Sequence, residues 1–122
     1  MKLKHFDLAK KLSYKSDHHT FAIGCVLARG NKVVGVGFNK LKTHPRSNHS
    51  YKMLHAEISA LLGVSRDDLR GCDAYLYRET KNGMKALSRP CATCEAALRE
   101  AGIERVFYTV NDTYDTMEVS DV

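Results

Sequence analysis

No apolar run in the sequence approaches the ~18 residues that a membrane-spanning helix requires, which excludes a helical membrane protein. No apolar signal core follows Met1-Lys2-Leu3-Lys4-His5, so secretion is not expected. Repeats, low-complexity tracts and linkers are absent, and prolines are confined to Pro45 and Pro90, which argues for one domain over residues 1–122. Acidic residues are scarce in one half. Residues 1–52 hold only Asp7 and Asp17 against eleven Lys and Arg, a net charge of +9, whereas residues 53–122 carry −4. Four cysteines in a chain without a signal point to metal or redox chemistry rather than a disulfide framework, and to a reducing, cytoplasmic compartment.

What is present is an ordinary globular mixture: 122 residues, 43% hydrophobic and 27% charged, with an overall charge of +5. The basic half suits a polyanionic or phosphorylated partner, or simply a solvated lysine-rich face.

Leu3, Phe6, Ala9 and Leu12 recur at helical spacing and predict an opening amphipathic helix over 3–12. Ser13–Thr20 reads as a loop. Phe21–Ala28 and Lys32–Phe38 read as a hairpin turned at Arg29-Gly30-Asn31, the first strand being apolar on both faces and so covered on both. Asn39–Ser50 reads as a polar loop. Met53, Leu54, Ile58, Leu61 and Leu62 predict a second helix over Tyr51–Leu62, stopped at Gly63. Cys72–Glu79 is a third strand, with a loop at Lys81-Asn82-Gly83. Pro90, placed at a first helical turn, opens a helix running to Ala101 and ending at Gly102. Ile103–Val110 and Tyr114–Val119 are the fourth and fifth strands, and 112–122 carries a loose acidic character. Strands alternating with helices predict a three-layer α/β domain, a mixed five-stranded sheet with helices on both faces.

Two motifs carry chemistry: His55-Ala56-Glu57 within the second predicted helix, and Pro90-Cys91-Ala92-Thr93-Cys94 at the start of the third. His55, Cys91 and Cys94 offer one imidazole and two thiolates. That three-ligand set suits zinc and leaves a fourth position for water, as in catalytic sites. Cysteines two residues apart can reach one ion from a single helical turn, where free backbone N–H groups favour thiolates. Glu57, two positions after His55, cannot point the same way on a regular helix, which places it beside the bound water as a proton carrier rather than as a fourth ligand. A structural zinc completed by His44, His49, Cys25 or Cys72 is the competing reading, and a redox dithiol a third. Cys25 and Cys72, both in predicted strands, read as small buried thiols.

Together these motifs resemble the zinc-dependent cytidine and deoxycytidylate deaminase superfamily. The likeness runs from the Phe21–Phe38 hairpin to Gly102-Ile103-Glu104-Arg105-Val106-Phe107-Tyr108. It implies the cytidine-deaminase-like fold and a hydrolytic deamination in which Zn2+, held by His55, Cys91 and Cys94, activates a water while Glu57 shuttles protons to the ring and to departing ammonia. Asn39 matches a family position that contacts the sugar or the base. Ala56 and His44 join it as candidate substrate contacts, the cationic Lys40–His49 loop being placed to hold a 5′-phosphate or a nucleic-acid backbone. The substrate implied is a cytosine-containing nucleotide or nucleoside, deoxycytidylate foremost. Single-stranded DNA or RNA bound by the basic half is one alternative, and a non-catalytic zinc-stabilised nucleic-acid-binding module another. No membrane partner is expected. Homo-oligomers that complete the site are frequent among relatives and are expected here on that ground alone. The chain departs from its relatives in three respects. The Lys81–Lys85 loop lengthens the interval between the motifs, Leu87 stands where relatives carry Thr or Ser, and no long C-terminal helix follows as in the tRNA adenosine enzymes.

Overall fold

A computed structural model describes residues 1–16, 22–42, 52–80, 83–111 and 113–119. Its elements are α1 (Leu3–Ser13), β1 (Ile23–Arg29), β2 (Lys32–Phe38), β3 (Lys40–Lys42), β4 (Lys52–Leu54), α2 (Ala56–Leu61), α3 (Arg66–Leu69), β5 (Asp73–Arg78), α4 (Ala92–Glu100), β6 (Arg105–Val110) and β7 (Thr113–Glu118). The five-stranded sheet has the order β2-β1-β5-β6-β7. Only β5 and β6 run parallel; the other pairs are antiparallel. This is the mixed sheet that the strand and helix pattern predicts. Among the described residues no helix is long and apolar enough to cross a membrane.

Alternation along the central strands sends side chains to two cores. Cys25, Leu27, Ala74, Leu76, Val106 and Tyr108 face one way and pack with Ala56, Ala60 and Leu98 of α2 and α4. Val26, Ala28, Tyr75, Tyr77 and Phe107 face the other way and receive Phe6, Ala9 and Leu12 of α1. Burying a large apolar side chain in either layer stabilises the fold by about 1.5–3 kcal/mol. The double-sided burial of β1 explains its unbroken apolar run.

α2 lies unusually close to β2, and the sequence provides for it. A Cβ built on Gly37 would stand 2.4 Å from the Ala60 nitrogen and 2.6 Å from the Ala56 carbonyl oxygen. Only glycine admits that approach, and it seats the helix carrying Glu57 against the sheet.

Several boundaries differ from the sequence expectation. The second helix starts at Ala56, not Tyr51, because Lys52–Leu54 pairs with Lys40–Lys42 in a separate two-stranded sheet. The same pairing makes part of the expected 39–50 loop a strand; 43–50, with His44 and His49, lies outside the described residues. Pro90 precedes the N-cap Cys91 instead of occupying the first turn of α4. Leu3, counted on the apolar face of α1, is exposed. Residues 113–118 form β7 along β6, the fifth strand expected over Tyr114–Val119, so the loose acidic character expected from 112 does not extend over them. The one-turn helix α3 was not expected from the sequence.

Candidate active site

The sheet brings four strand ends to one edge of the molecule. Ile23, at the start of β1, pairs with Arg78 at the end of β5, and Asn39 directly follows β2. β5 and β6 are parallel, so their C-terminal ends open on the same side, the usual place for a ligand cleft in α/β sheets. α2 and α4 both begin there.

His55 is the N-cap of α2 and Cys91 the N-cap of α4; neither uses its side chain to cap its helix. Both are exposed, whereas Cys94, one turn into α4, is buried. Their ligand atoms all lie within 4.8 Å of one another. Zinc bonds sulfur at about 2.3 Å and nitrogen at about 2.0–2.1 Å, so tetrahedral ligand atoms stand roughly 3.5–3.8 Å apart and small side-chain movements close this group on an ion. Among the described residues Cys25 and Cys72 take no part in the group. Both are fully buried, and the Cys72 thiol reaches the Asp68 carbonyl oxygen at 3.2 Å.

Glu57, one residue into α2, is buried beside this cluster. Burial pushes its carboxyl above the ordinary value, opposed by its own backbone N–H, the Cys94 thiol and the His55 charge. Burial and the Glu57 charge likewise push the Cys94 thiol up, with a contribution from Cys91. Groups that resist ionising in each other's company are what a divalent cation stabilises, so the donor set fits zinc.

A cavity of about 220 Å³ opens beside the cluster. Of the expected site residues, Asn39, His55, Ala56, Glu57 and Cys91 line it. Cys94 lies beneath, and His44 is outside the described residues. Asn39 is 1% exposed, and its side-chain oxygen accepts the Ile23 N–H at 2.8 Å while its own N–H donates to the Ile23 carbonyl at 3.1 Å. Its amide is thereby oriented by β1.

Three further residues line the cavity: Ile23, Ser88 and Arg89. In the sequence, Leu87 marks the departure from relatives and Ser88 has no assigned role. In the fold Ser88 is buried and Leu87 is exposed. Ser88 Oγ accepts the Thr109 N–H at 2.8 Å and lies 3.0 Å from the Leu76 carbonyl oxygen; the Ser88 N–H donates to the Thr109 carbonyl at 2.9 Å. Thr109 Oγ1 donates to the Ala86 carbonyl and accepts the Arg78 N–H. Ser88 thus closes the gap where β5 and β6 diverge, two residues before the Pro-Cys turn.

A mixed sheet with two opposed helix N-termini presenting one histidine and two cysteines, and a buried glutamate at their side, defines a zinc hydrolase centre of the cytidine-deaminase-like class. The chain belongs to the cytidine and deoxycytidylate deaminase zinc-binding family, whose sequence profile matches residues 1–110. An uncharacterized deaminase in the luxG 3′ region of Aliivibrio fischeri is 30% identical over 112 residues, 85% of this chain and 69% of that protein. The deoxycytidylate deaminase of Schizosaccharomyces pombe is 29% identical over 132 residues, 93% of this chain but only 38% of that protein. The deoxycytidylate deaminase of Mycobacterium phage D29 is 30% identical over 122 residues, 83% of this chain and 88% of that protein. In structure, a cytidine deaminase from Burkholderia pseudomallei superposes with a TM-score of 0.70 at 20% identity, covering 98% of this chain and 93% of the other. The dCMP deaminase of cyanophage S-TIM5 in complex with dCMP and dUMP superposes at 0.63 and 20%, covering 88% and 82%. These likenesses establish the fold. Family membership and the donor set together make the chain a zinc-dependent hydrolytic deaminase.

Proposed function

We propose that the substrate is a cytosine nucleotide of the deoxycytidylate type, converted to its uracil counterpart with release of ammonia. The observation that carries the chemistry is the buried Glu57 carboxylate in the cavity wall beside the three-donor group. A structural zinc needs no such carboxylate, which argues against a non-catalytic module. The cytosine and nucleotide assignments are supported by the deoxycytidylate deaminases among the relatives.

Zinc, when bound by His55, Cys91 and Cys94, supplies the Lewis acidity that makes a water nucleophilic at neutral pH. Glu57 does the proton work: it takes one proton of the attacking water to the ring nitrogen next to the carbon under attack, then carries that oxygen's remaining proton to the amino group, which departs as ammonia. Burial raises the carboxyl toward the range where it can both accept and return a proton. Asn39, with its oxygen engaged by Ile23, meets the sugar or base through its amide N–H. Ala56 contributes backbone and a small apolar wall between His55 and Glu57.

A single-stranded polynucleotide is the second reading, favoured by the +9 charge of residues 1–52. Ammonia release from dCMP, deoxycytidine and a deoxycytidine-containing oligonucleotide by zinc-loaded protein separates the readings. Preference for dCMP supports the nucleotide assignment, preference for the oligonucleotide replaces it, and no release from any of them overturns both.

A further inference from the structure

The cavity has one pronounced charge asymmetry. Its deep wall carries the buried Glu57, and its exposed rim carries Arg89, the one Lys or Arg among its described lining residues. At about 220 Å³ the cavity lies below the usual range for small-molecule sites, so a bound nucleotide would extend from it to the exposed rim.

Arg89 is held at that rim by its neighbours in the chain. Ser88, on one side, is fixed through its backbone N–H and its hydroxyl to Thr109 and Leu76. Pro90, on the other, has a ring-locked φ and leads into the N-cap Cys91. The backbone from which the guanidinium projects is therefore set by the same segment that delivers Cys91. Burial and the Asp115 charge push the Tyr108 phenol of β6 up, and the Arg89 charge opposes them. Beside Tyr108, the Asp115 carboxylate receives the Tyr108 hydroxyl at 3.4 Å and the Thr116 N–H at 2.8 Å. Guanidinium is the side chain best matched to phosphate, offering paired N–H donors in a planar fork.

We propose that Arg89 binds the 5′-phosphate of the substrate and so selects cytosine nucleotides over nucleosides. This rests on the deaminase reading above and names the residue behind its nucleotide preference.

The test compares zinc-loaded wild type, Arg89→Ala and Arg89→Lys on dCMP, deoxycytidine and a trinucleotide whose central deoxycytidine carries phosphodiesters. Two charge-assisted hydrogen bonds predict that Arg89→Ala lowers the ratio of kcat/KM on dCMP to that on deoxycytidine by about 10–100-fold, mostly through KM, with Arg89→Lys recovering part of it. An unchanged ratio, or equal losses on both substrates, overturns the assignment while leaving the deaminase reading intact. A wild type that favours the trinucleotide, with the variant's loss concentrated there, overturns the free-nucleotide assignment. Turnover of none of the three by the wild type overturns the deaminase reading instead. In that event, calorimetric titration of wild type and Arg89→Ala with dUMP and deoxyuridine still decides the phosphate contact: a selective loss of dUMP affinity supports it, and equal affinities overturn it.

Discussion

His55 and Cys91 occupy the same place in two different helices: each is the N-cap, at φ −69°, with ψ of 148° and 167°. An N-cap residue keeps extended backbone angles while its carbonyl already accepts the first intrahelical bond, so its side chain is turned out over the helix end. Asn, Asp, Ser or Thr usually spends its side chain on the free N–H groups there. These two residues do not, and α2 and α4 pack against each other. The metal donors therefore come from paired helix ends, where unpaired backbone N–H groups favour thiolates and carboxylates alike.

Glu57→Gln keeps the shape of the side chain and removes its ability to take a proton. Positioned acid–base groups contribute about 10²–10⁴-fold, so kcat should fall by that order while zinc content stays near one per chain. Ammonia release alongside metal analysis checks both halves. A variant that loses its zinc would show that Glu57 holds the metal and would refute its assignment to proton transfer.

Removing zinc should change which cysteines can be alkylated. Cys91 is exposed, whereas Cys25 and Cys72 are fully buried and burial raises both thiols. Chelator-treated native protein is expected to take up iodoacetamide at Cys91 first, with Cys25 and Cys72 labelled only on unfolding. Readdition of zinc should suppress the Cys91 adduct. Peptide mass spectrometry reads the sites, and equal labelling of Cys91 with and without zinc would remove it from the ligand set.

Gly37→Ala tests the seat of α2. The added Cβ meets backbone atoms of Ala56 and Ala60, which cannot swing aside as a flexible side chain can. Overpacking of this kind costs about 1–3 kcal/mol. A lower denaturant midpoint is expected, and turnover should fall beyond any loss of folded protein, because α2 carries Glu57 and follows His55. A midpoint equal to that of wild type would show that the helix is not tightly seated.

Much of this architecture was legible in the residues themselves. The hairpin could be read because Gly30-Asn31 separates two apolar runs, and the end of α4 because Gly102 sits where a positive φ, +89°, is required. The two motifs marked His55, Cys91 and Cys94 as candidate ligands, and the fold brings their ligand atoms within 4.8 Å of one another. The start of α2 was not legible: Met53 and Leu54 fall on the helical period of Ile58 and Leu61, and only the distant Lys40–Lys42 pairs them into β4. Local pattern does not encode a partner twelve residues away. α3 did leave a signal, since Ser65 precedes Asp67 and Asp68 and its hydroxyl accepts the Asp68 N–H at 3.3 Å. One turn is too short to show periodicity. The roles of Ser88 and Arg89 could not be read because both depend on where β5 and β6 part.

Ser88→Ala probes that parting most directly. The hydroxyl is buried and satisfies the Thr109 N–H and the Leu76 carbonyl, so its removal takes away the partner of two buried backbone groups. An orphaned buried group costs about 1–3 kcal/mol, which predicts a lower Tm of that order for the variant. Thr109→Val should do likewise, since it strands the Ala86 carbonyl and the Arg78 N–H. The two sites share one network, so the double variant should cost less than the sum of the singles. Function supplies a separate readout. Ser88 lies three residues before Cys91, and a shift in that turn would loosen the ligand set, so zinc affinity measured by chelator competition should weaken in Ser88→Ala at temperatures where the protein is fully folded. Additive losses in stability together with wild-type zinc affinity would reduce Ser88 to an ordinary buried hydroxyl and detach the β5–β6 junction from the metal centre.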